Sequence, residues 1–130
     1  MIYSLLILSS PFSGDCSRTA AAFARCAIAR GHTVHRVFFL DTGTLASAAN
    51  SVSAQDEDTA LQSWAELADL HSVELAICIT SALKHGMFDQ TEADRNKCPF
   101  STMDPAFTMS GLGQLVDAYA SSDRLITFGG

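Results

Sequence analysis

The stretch Val73-Glu74-Leu75-Ala76-Ile77-Cys78-Ile79-Thr80-Ser81-Ala82-Leu83 decides how the rest of the chain reads. It begins as a short apolar run rich in branched side chains, the pattern of a strand buried on both faces of a parallel sheet. At Thr80-Ser81 it turns to hydroxyl residues suited to capping a helix. Cys78 is thereby expected near the carboxyl end of a central strand, beside the positive end of the next helix. α/β sheets carry their chemistry at that edge. Unpaired N–H groups at a helix start favour an anion, so a thiol held there ionises more readily than a free one.

Outward from this stretch, strand and helix patterns alternate. Residues 2–8 read as a first buried strand, followed by the polar turn Ser9 to Ser17 with Pro11 and Gly14. The Ala-rich run Thr19 to Arg30 reads as a helix stopped by Gly31, with Phe23 and Ala27 toward the sheet and Cys26 as a core filler. Val34 to Leu40 is a second strand, ended by Asp41-Thr42-Gly43. Residues 44–58 lack periodicity and read as a mobile loop, with Asp56 opening an acidic helix start. Ala60 to Leu70 is then a helix with Leu61, Trp64, Leu67 and Ala68 inward. After the central strand come a short helix around Ala82 to His85 ended by Gly86, a helical turn over Thr91 to Asn96, and an irregular segment 97–105. A short strand follows at Ala106 to Met109, then a helix from Leu112 to Ala120 and a last strand from Arg124 to Phe128. This order predicts a single α/β domain over residues 1–130, three-layer α/β/α, with a mainly parallel sheet of about five strands.

Composition narrows the function classes. The chain is 48% hydrophobic, enough for a substantial core, and its net charge of −6 argues against direct nucleic-acid or anionic membrane binding. No apolar run approaches the roughly 20 residues of a membrane span. The N-terminal Met1 to Leu8 lacks the basic flank of a signal peptide and reads as a strand, so a cytoplasmic location is expected. Four cysteines (Cys16, Cys26, Cys78 and Cys98) show no close pairing and are expected as reduced thiols, and the four His residues share no zinc-like spacing with them.

Several segments match a known pattern nearly end to end: Gly31-His32 leading into Arg36-Val37-Phe38-Phe39, Ser63-Trp64, and Ala76-Ile77-Cys78-Ile79 with a basic turn to Gly86. Asp89-Gln90-Thr91-Glu92-Ala93, Phe107-Thr108-Met109-Ser110-Gly111-Leu112-Gly113-Gln114-Leu115 and Asp123-Arg124-Leu125-Ile126 complete it. The chain resembles the DsrE/TusD family of small sulfur-relay proteins. The resemblance implies a DsrEFH-like fold and a sulfurtransferase that carries sulfur as a persulfide on Cys78, without cofactor or metal. It implies TusB-like and TusC-like partner subunits in a heterohexamer. It also implies a small sulfur-donor carrier and a TusE/DsrC-like acceptor with a mobile cysteine-bearing tail. The sulfur then ends in the 2-thio group of wobble uridine in certain tRNAs. DsrE members of sulfur-oxidising bacteria share the cysteine and the assembly but serve dissimilatory sulfur oxidation. The tRNA branch is the expectation, with the dissimilatory branch and a non-catalytic scaffold subunit as alternatives.

A persulfide carrier needs a thiolate that attacks the terminal sulfur of a donor persulfide. A helix start contributes only about 0.3–1 kcal/mol toward the anion, so Lys84 or His85, with Arg95 further on, are candidate supporting cations. The competing reading of Cys78 is a small core hydrophobe, since free cysteine is among the most buried residue types. Cys16, read in the loop after the first strand, faces the same sheet edge and is either a resolving thiol or incidental. Met87 and Phe88 beside the site suit either partner docking or core packing. Two other chemistries fit poorly. Ser9 to Asp15 lacks the glycine cluster of a flavin phosphate loop and carries a repelling Asp15. Lys84, at the end of a Cys-x5 spacing from Cys78, stands where a phosphatase needs a bidentate guanidinium.

Overall fold

The branched apolar runs become strands: β1 (Ile2–Ile7), β2 (Thr33–Phe39), β3 (Glu74–Cys78), β4 (Phe107–Ser110) and β5 (Arg124–Phe128). The computed structural model describes residues 1–52 and 59–129. Among these residues the strands form one sheet in the order β4-β3-β2-β1-β5, and every neighbouring pair is parallel. Parallel neighbours need crossover connections. These contain α1 (Cys16–Ala29), α2 (Ala60–His71), α3 (Ile79–Lys84), α4 (Gln90–Arg95) and α5 (Gly113–Ala120). The architecture is three-layer α/β/α, as expected, with the sheet wholly rather than mainly parallel.

The two faces of the sheet are built differently. Leu5, Ile7, Val37, Phe39, Leu75 and Ile77 point to one side, where α1 and α2 cover them. The inner stripe of α1 is Ser17, Ala20, Ala21, Ala24 and Ala27, and small side chains let this helix sit close to the strands. Trp64 of α2 is fully buried, meets the Phe39 ring edge-on at 5.3 Å, and donates its indole N–H to Ser17 Oγ at 3.1 Å. The other face is thinner. Phe38, Ala76 and Cys78 are its buried cluster, with Leu6, Leu40 and Leu115 of α5 packed against them.

A bulge in β2 sorts these residues. Val34 and Val37 both face α1 and α2, yet regular strand alternation would send residues three apart to opposite sides. Tyr3 pairs with Val34 and Ser4 with Arg36, so His35 is an extra residue in the ladder. Arg36 and Phe38 therefore share the α5 side of the sheet.

Local structure departs from the sequence reading where hydrogen bonds outweigh pattern. α1 begins at Cys16, not Thr19, because Thr19 N–H already bonds the Asp15 carbonyl at 2.8 Å. Cys26 is exposed rather than a core filler, since it falls outside the buried stripe of α1. Residues 41–47 form a 3-10 segment instead of part of a loop, held by Thr44 Oγ1 on the Asp41 carbonyl and Ser47 Oγ on the Thr44 carbonyl. Gly43 presses against the Ile7 backbone, where any Cβ would collide. Residues 53–58, which include Asp56 and the last part of the expected 44–58 loop, lie outside the described residues. α2 starts at Ala60, as expected, with Thr59 as its cap: the Thr59 side chain accepts from Gln62 N–H while Gln62 Oε1 accepts from Thr59 N–H, a capping box.

Candidate functional site

Cys78 is the last residue of β3 and the N-cap of α3, with extended backbone at φ −61° and ψ 120°. The helix starts one residue earlier than Thr80-Ser81 suggests, so the cysteine itself stands at the helix mouth. Its side chain makes no capping bond. Ser81 Oγ instead accepts a hydrogen bond from Asp41 N–H at 3.0 Å, tying α3 to the 3-10 segment that follows β2. Opposite Cys78, across the β3–β4 ladder, lies Ser110, after which Gly111, Leu112 and Gly113 lead into α5.

The sulfur is not accessible in this arrangement. Cys78 is only 4% exposed and belongs to the cluster with Phe38 and Ala76. Burial to this degree is what the competing reading of Cys78 as a small core hydrophobe describes. Strand alternation turns the side chain toward the α5 face, where Leu115, Leu40 and Leu6 pack against the cluster it shares with Phe38 and Ala76. The sheet's order of connection reverses between β1 and β5, where open α/β sheets place their ligand crevice. Cys78 sits at the carboxyl edge but on β3, separated from β1 by β2.

The expected supporting cations meet other carboxylates or solvent. Lys84 and His85 close the far end of α3, roughly 9–10 Å along the helix axis from Cys78 at about 1.5 Å per residue. His85 Nε2 lies 3.6 Å from Asp41 Oδ1, and Lys84 is exposed. Arg95 pairs with Glu92 at 2.8 Å. Met87 is buried, not exposed, because its N–H bonds the Ala82 carbonyl and folds it under α3; Phe88 is half-buried. Cys16 heads α1, which packs on the opposite face of the sheet from Cys78. Cys98 donates its thiol to the Phe100 carbonyl at 3.1 Å.

Two buried polar features were not legible beforehand. Glu92 is 4% exposed, and its Oε2 has no hydrogen-bond partner. Arg36, 6% exposed in an otherwise apolar strand, donates from one terminal nitrogen to the Gln114 carbonyl at 2.9 Å and Asp117 Oδ2 at 2.8 Å. Its other terminal nitrogen donates to Glu74 Oε2 at 2.9 Å. Burial alone would lower the Arg36 pKa, but the hydrogen bonds that Arg36 donates to Glu74 and Asp117 outweigh it and hold it above its usual value. The same hydrogen bond from Arg36 holds the Asp117 carboxyl below the usual carboxylate range. His35, the bulge residue, brings Nε2 to 3.9 Å from Asp117. The one signal in the sequence was a charge inside a buried strand, which demands paired carboxylates somewhere in the fold.

A polar groove of ≈ 160 Å³ lined by Arg25, Gln62, Ser63 and Glu66 lies between α1 and α2, away from Cys78. Among the described residues, no helix is long and apolar enough to cross a membrane.

This geometry carries a family signature: the profile of the DsrE/DsrF-like family matches residues 1–128. The chain belongs to the DsrE/DsrF-like family. Its relatives match over their full lengths. The DsrE of Allochromatium vinosum is 36% identical over 129 residues, covering 99% of both chains. The sulfurtransferase TusD of Serratia proteamaculans is 35% identical over 126 residues, 97% of this chain and 98% of the relative. The sulfurtransferase TusD homolog of Pseudomonas aeruginosa is 36% identical over 130 residues, 100% of this chain and 98% of the relative. Among solved structures, the ychN protein of E. coli superposes with a TM-score of 0.74 at 13% identity, covering 98% of this chain and 99% of that one. That likeness shows the fold of this DsrE/DsrF-like chain.

Proposed function

We propose that this chain is a sulfurtransferase that carries sulfur as a persulfide on Cys78 in a protein-to-protein relay. The position of Cys78 carries the reading: it ends a central parallel strand and stands at the start of α3, in a chain whose full-length relatives are named sulfurtransferases. In the loading step the Cys78 thiolate attacks the terminal sulfur of a donor persulfide. A new S–S bond forms to Cys78, the donor S–S bond breaks, and the donor leaves as a thiolate, with no net oxidation. In the unloading step an acceptor thiolate attacks the outer sulfur and returns Cys78 as a thiolate. The donor is a small carrier protein and the acceptor a TusE/DsrC-like chain. TusB-like and TusC-like subunits complete the assembly in the cytoplasm, without direct contact to nucleic acid. The delivered sulfur serves 2-thiolation of tRNA wobble uridine, and dissimilatory sulfur oxidation is the alternative destination.

Incubation with a low-molecular-weight persulfide donor is expected to add one sulfur to the intact mass, and Cys78→Ser is expected to abolish the gain. An equal gain in the variant refutes the assignment of the carrier. The burial of Cys78 favours one competing reading, a scaffold subunit with an inert cysteine. That reading predicts no added sulfur on the wild-type chain while assembly with its sister subunits survives Cys78→Ser.

A further inference from the structure

If Cys78 carries sulfur, something must uncover it, and the structure holds the residues that control this. α5 lies over the Cys78 face, and Leu115 is its contribution to the cluster around the thiol. The helix is weakly seated. Ala118 is its one fully buried residue, while Gln114, Val116, Asp117 and Tyr119 are exposed. Elements with few buried apolar contacts open locally far more often than the whole fold unfolds.

The two ends of α5 are anchored unequally. Beyond its C-terminus, Ser122 Oγ meets Ser4 Oγ at 2.7 Å, and Asp123 bonds both backbone groups of Ile2, accepting from its N–H at 2.7 Å and donating to its carbonyl at 2.7 Å. The N-terminal end is tied to the sheet through Arg36 on the Gln114 carbonyl. Leu112 at the cap supplies no side-chain acceptor and is 57% exposed, and a Cβ added at Gly111 or Gly113 on either side would meet only open space. This end leaves the sheet at Ser110, directly across the ladder from Cys78. Between the two ends, Arg36 grips the Gln114 carbonyl and the Asp117 carboxylate, and its own position is fixed by Glu74.

We infer that α5 is a latched cover over Cys78, hinged at Ser122-Asp123, released at Gly111-Leu112-Gly113, and held shut by Arg36 through Asp117 and Gln114. Opening swings Leu115 off the cluster and presents the sulfur at the carboxyl edge of the sheet. The latch sets the fraction of time for which the thiol can be reached, and a partner that engages α5 gains access to it. The inference rests on reading Cys78 as the carrier, but its test is separate.

The test is pulsed iodoacetamide labelling of the full chain, with the modified peptides quantified by mass spectrometry and the exposed Cys26 as internal reference. Asp117→Ala removes one latch contact and leaves Gln114 and Glu74 on Arg36. It is expected to raise the Cys78-to-Cys26 rate ratio roughly three- to tenfold, as the net loss of one hydrogen bond implies. Leu115→Ala, which thins the cover without touching the latch, is expected to raise it as well. Molar salt is expected to speed labelling of the wild-type chain but not of Asp117→Ala, because the latch is partly exposed and screened. For each variant the gain must exceed the change in its global unfolding constant in urea. Ratios within twofold of wild type in both variants overturn the latch. Faster labelling in the variants together with no sulfur loading of the wild-type chain keeps the latch and removes the relay reading. Loading with unchanged ratios does the reverse.

Discussion

Trp64→Phe separates the stability of the molecule from the exposure of its thiol. Trp64 is 0% exposed, and its indole N–H is bonded to Ser17 Oγ, which is 1% exposed. Phenylalanine keeps the edge-on contact with Phe39 but removes the donor, leaving a buried hydroxyl without its partner at a cost of about 1–3 kcal/mol. The smaller ring also leaves a void worth about 1 kcal/mol. The sum is a loss of roughly 2–4 kcal/mol. Urea unfolding followed by circular dichroism measures it, since the substitution removes the chain's single Trp as a fluorescence probe. Adding Ser17→Ala removes the stranded hydroxyl and is expected to recover about 1 kcal/mol, a coupling that a double-mutant cycle reads directly. A loss below about 1 kcal/mol, or no recovery in the double variant, refutes the account of this contact. Because the substitution lies on the face opposite α5, labelling of Cys78 through the latch is expected to stay near its wild-type rate in Trp64→Phe. A rise matching that of Asp117→Ala would mean that the thiol is reached by global unfolding instead.

The acid limb of stability is expected to report Asp117. Its carboxyl is held below the usual range in the folded chain, so its contribution is complete above about pH 4–5 and is lost as pH falls below the ordinary carboxylate value near 3.9. Asp117→Asn should therefore flatten part of the fall in melting temperature between pH 5 and pH 2.5, in a titration at fixed ionic strength. An unchanged slope would contradict the Arg36 pairing. Thr59→Ala removes the acceptor of the α2 capping box and is expected to cost about 0.5–2 kcal/mol in urea unfolding, with no effect on sulfur loading.

Much of this protein was readable along the chain. β3 was recognisable because a parallel strand covered on both faces is a near-continuous apolar run, and its end at Cys78 followed from the switch to Thr80-Ser81. The run at Arg124 to Phe128 became β5 with the same bounds, and Gly31, at φ 86°, ends α1 in a conformation that favours glycine. Inner and outer helix faces were legible less evenly. Leu61, Trp64, Leu67 and Ala68 turned inward as their spacing implied, whereas Cys26 missed the α1 stripe that begins three residues earlier than read.

What a one-dimensional pattern determines is therefore the local element and its hydrophobic side, because periodicity and turn chemistry act over a few neighbouring residues. Whether the sulfur of Cys78 meets solvent was decided in space, on a sheet face where Leu6, Leu40 and the distant Leu115 pack against its cluster. The partners of Arg36 were likewise chosen in space, since Glu74 and Asp117 reach it only once β2 has bulged at His35 and the sheet has closed. Burial and charge pairing are properties of contacts between distant segments, so tertiary structure alone could settle them.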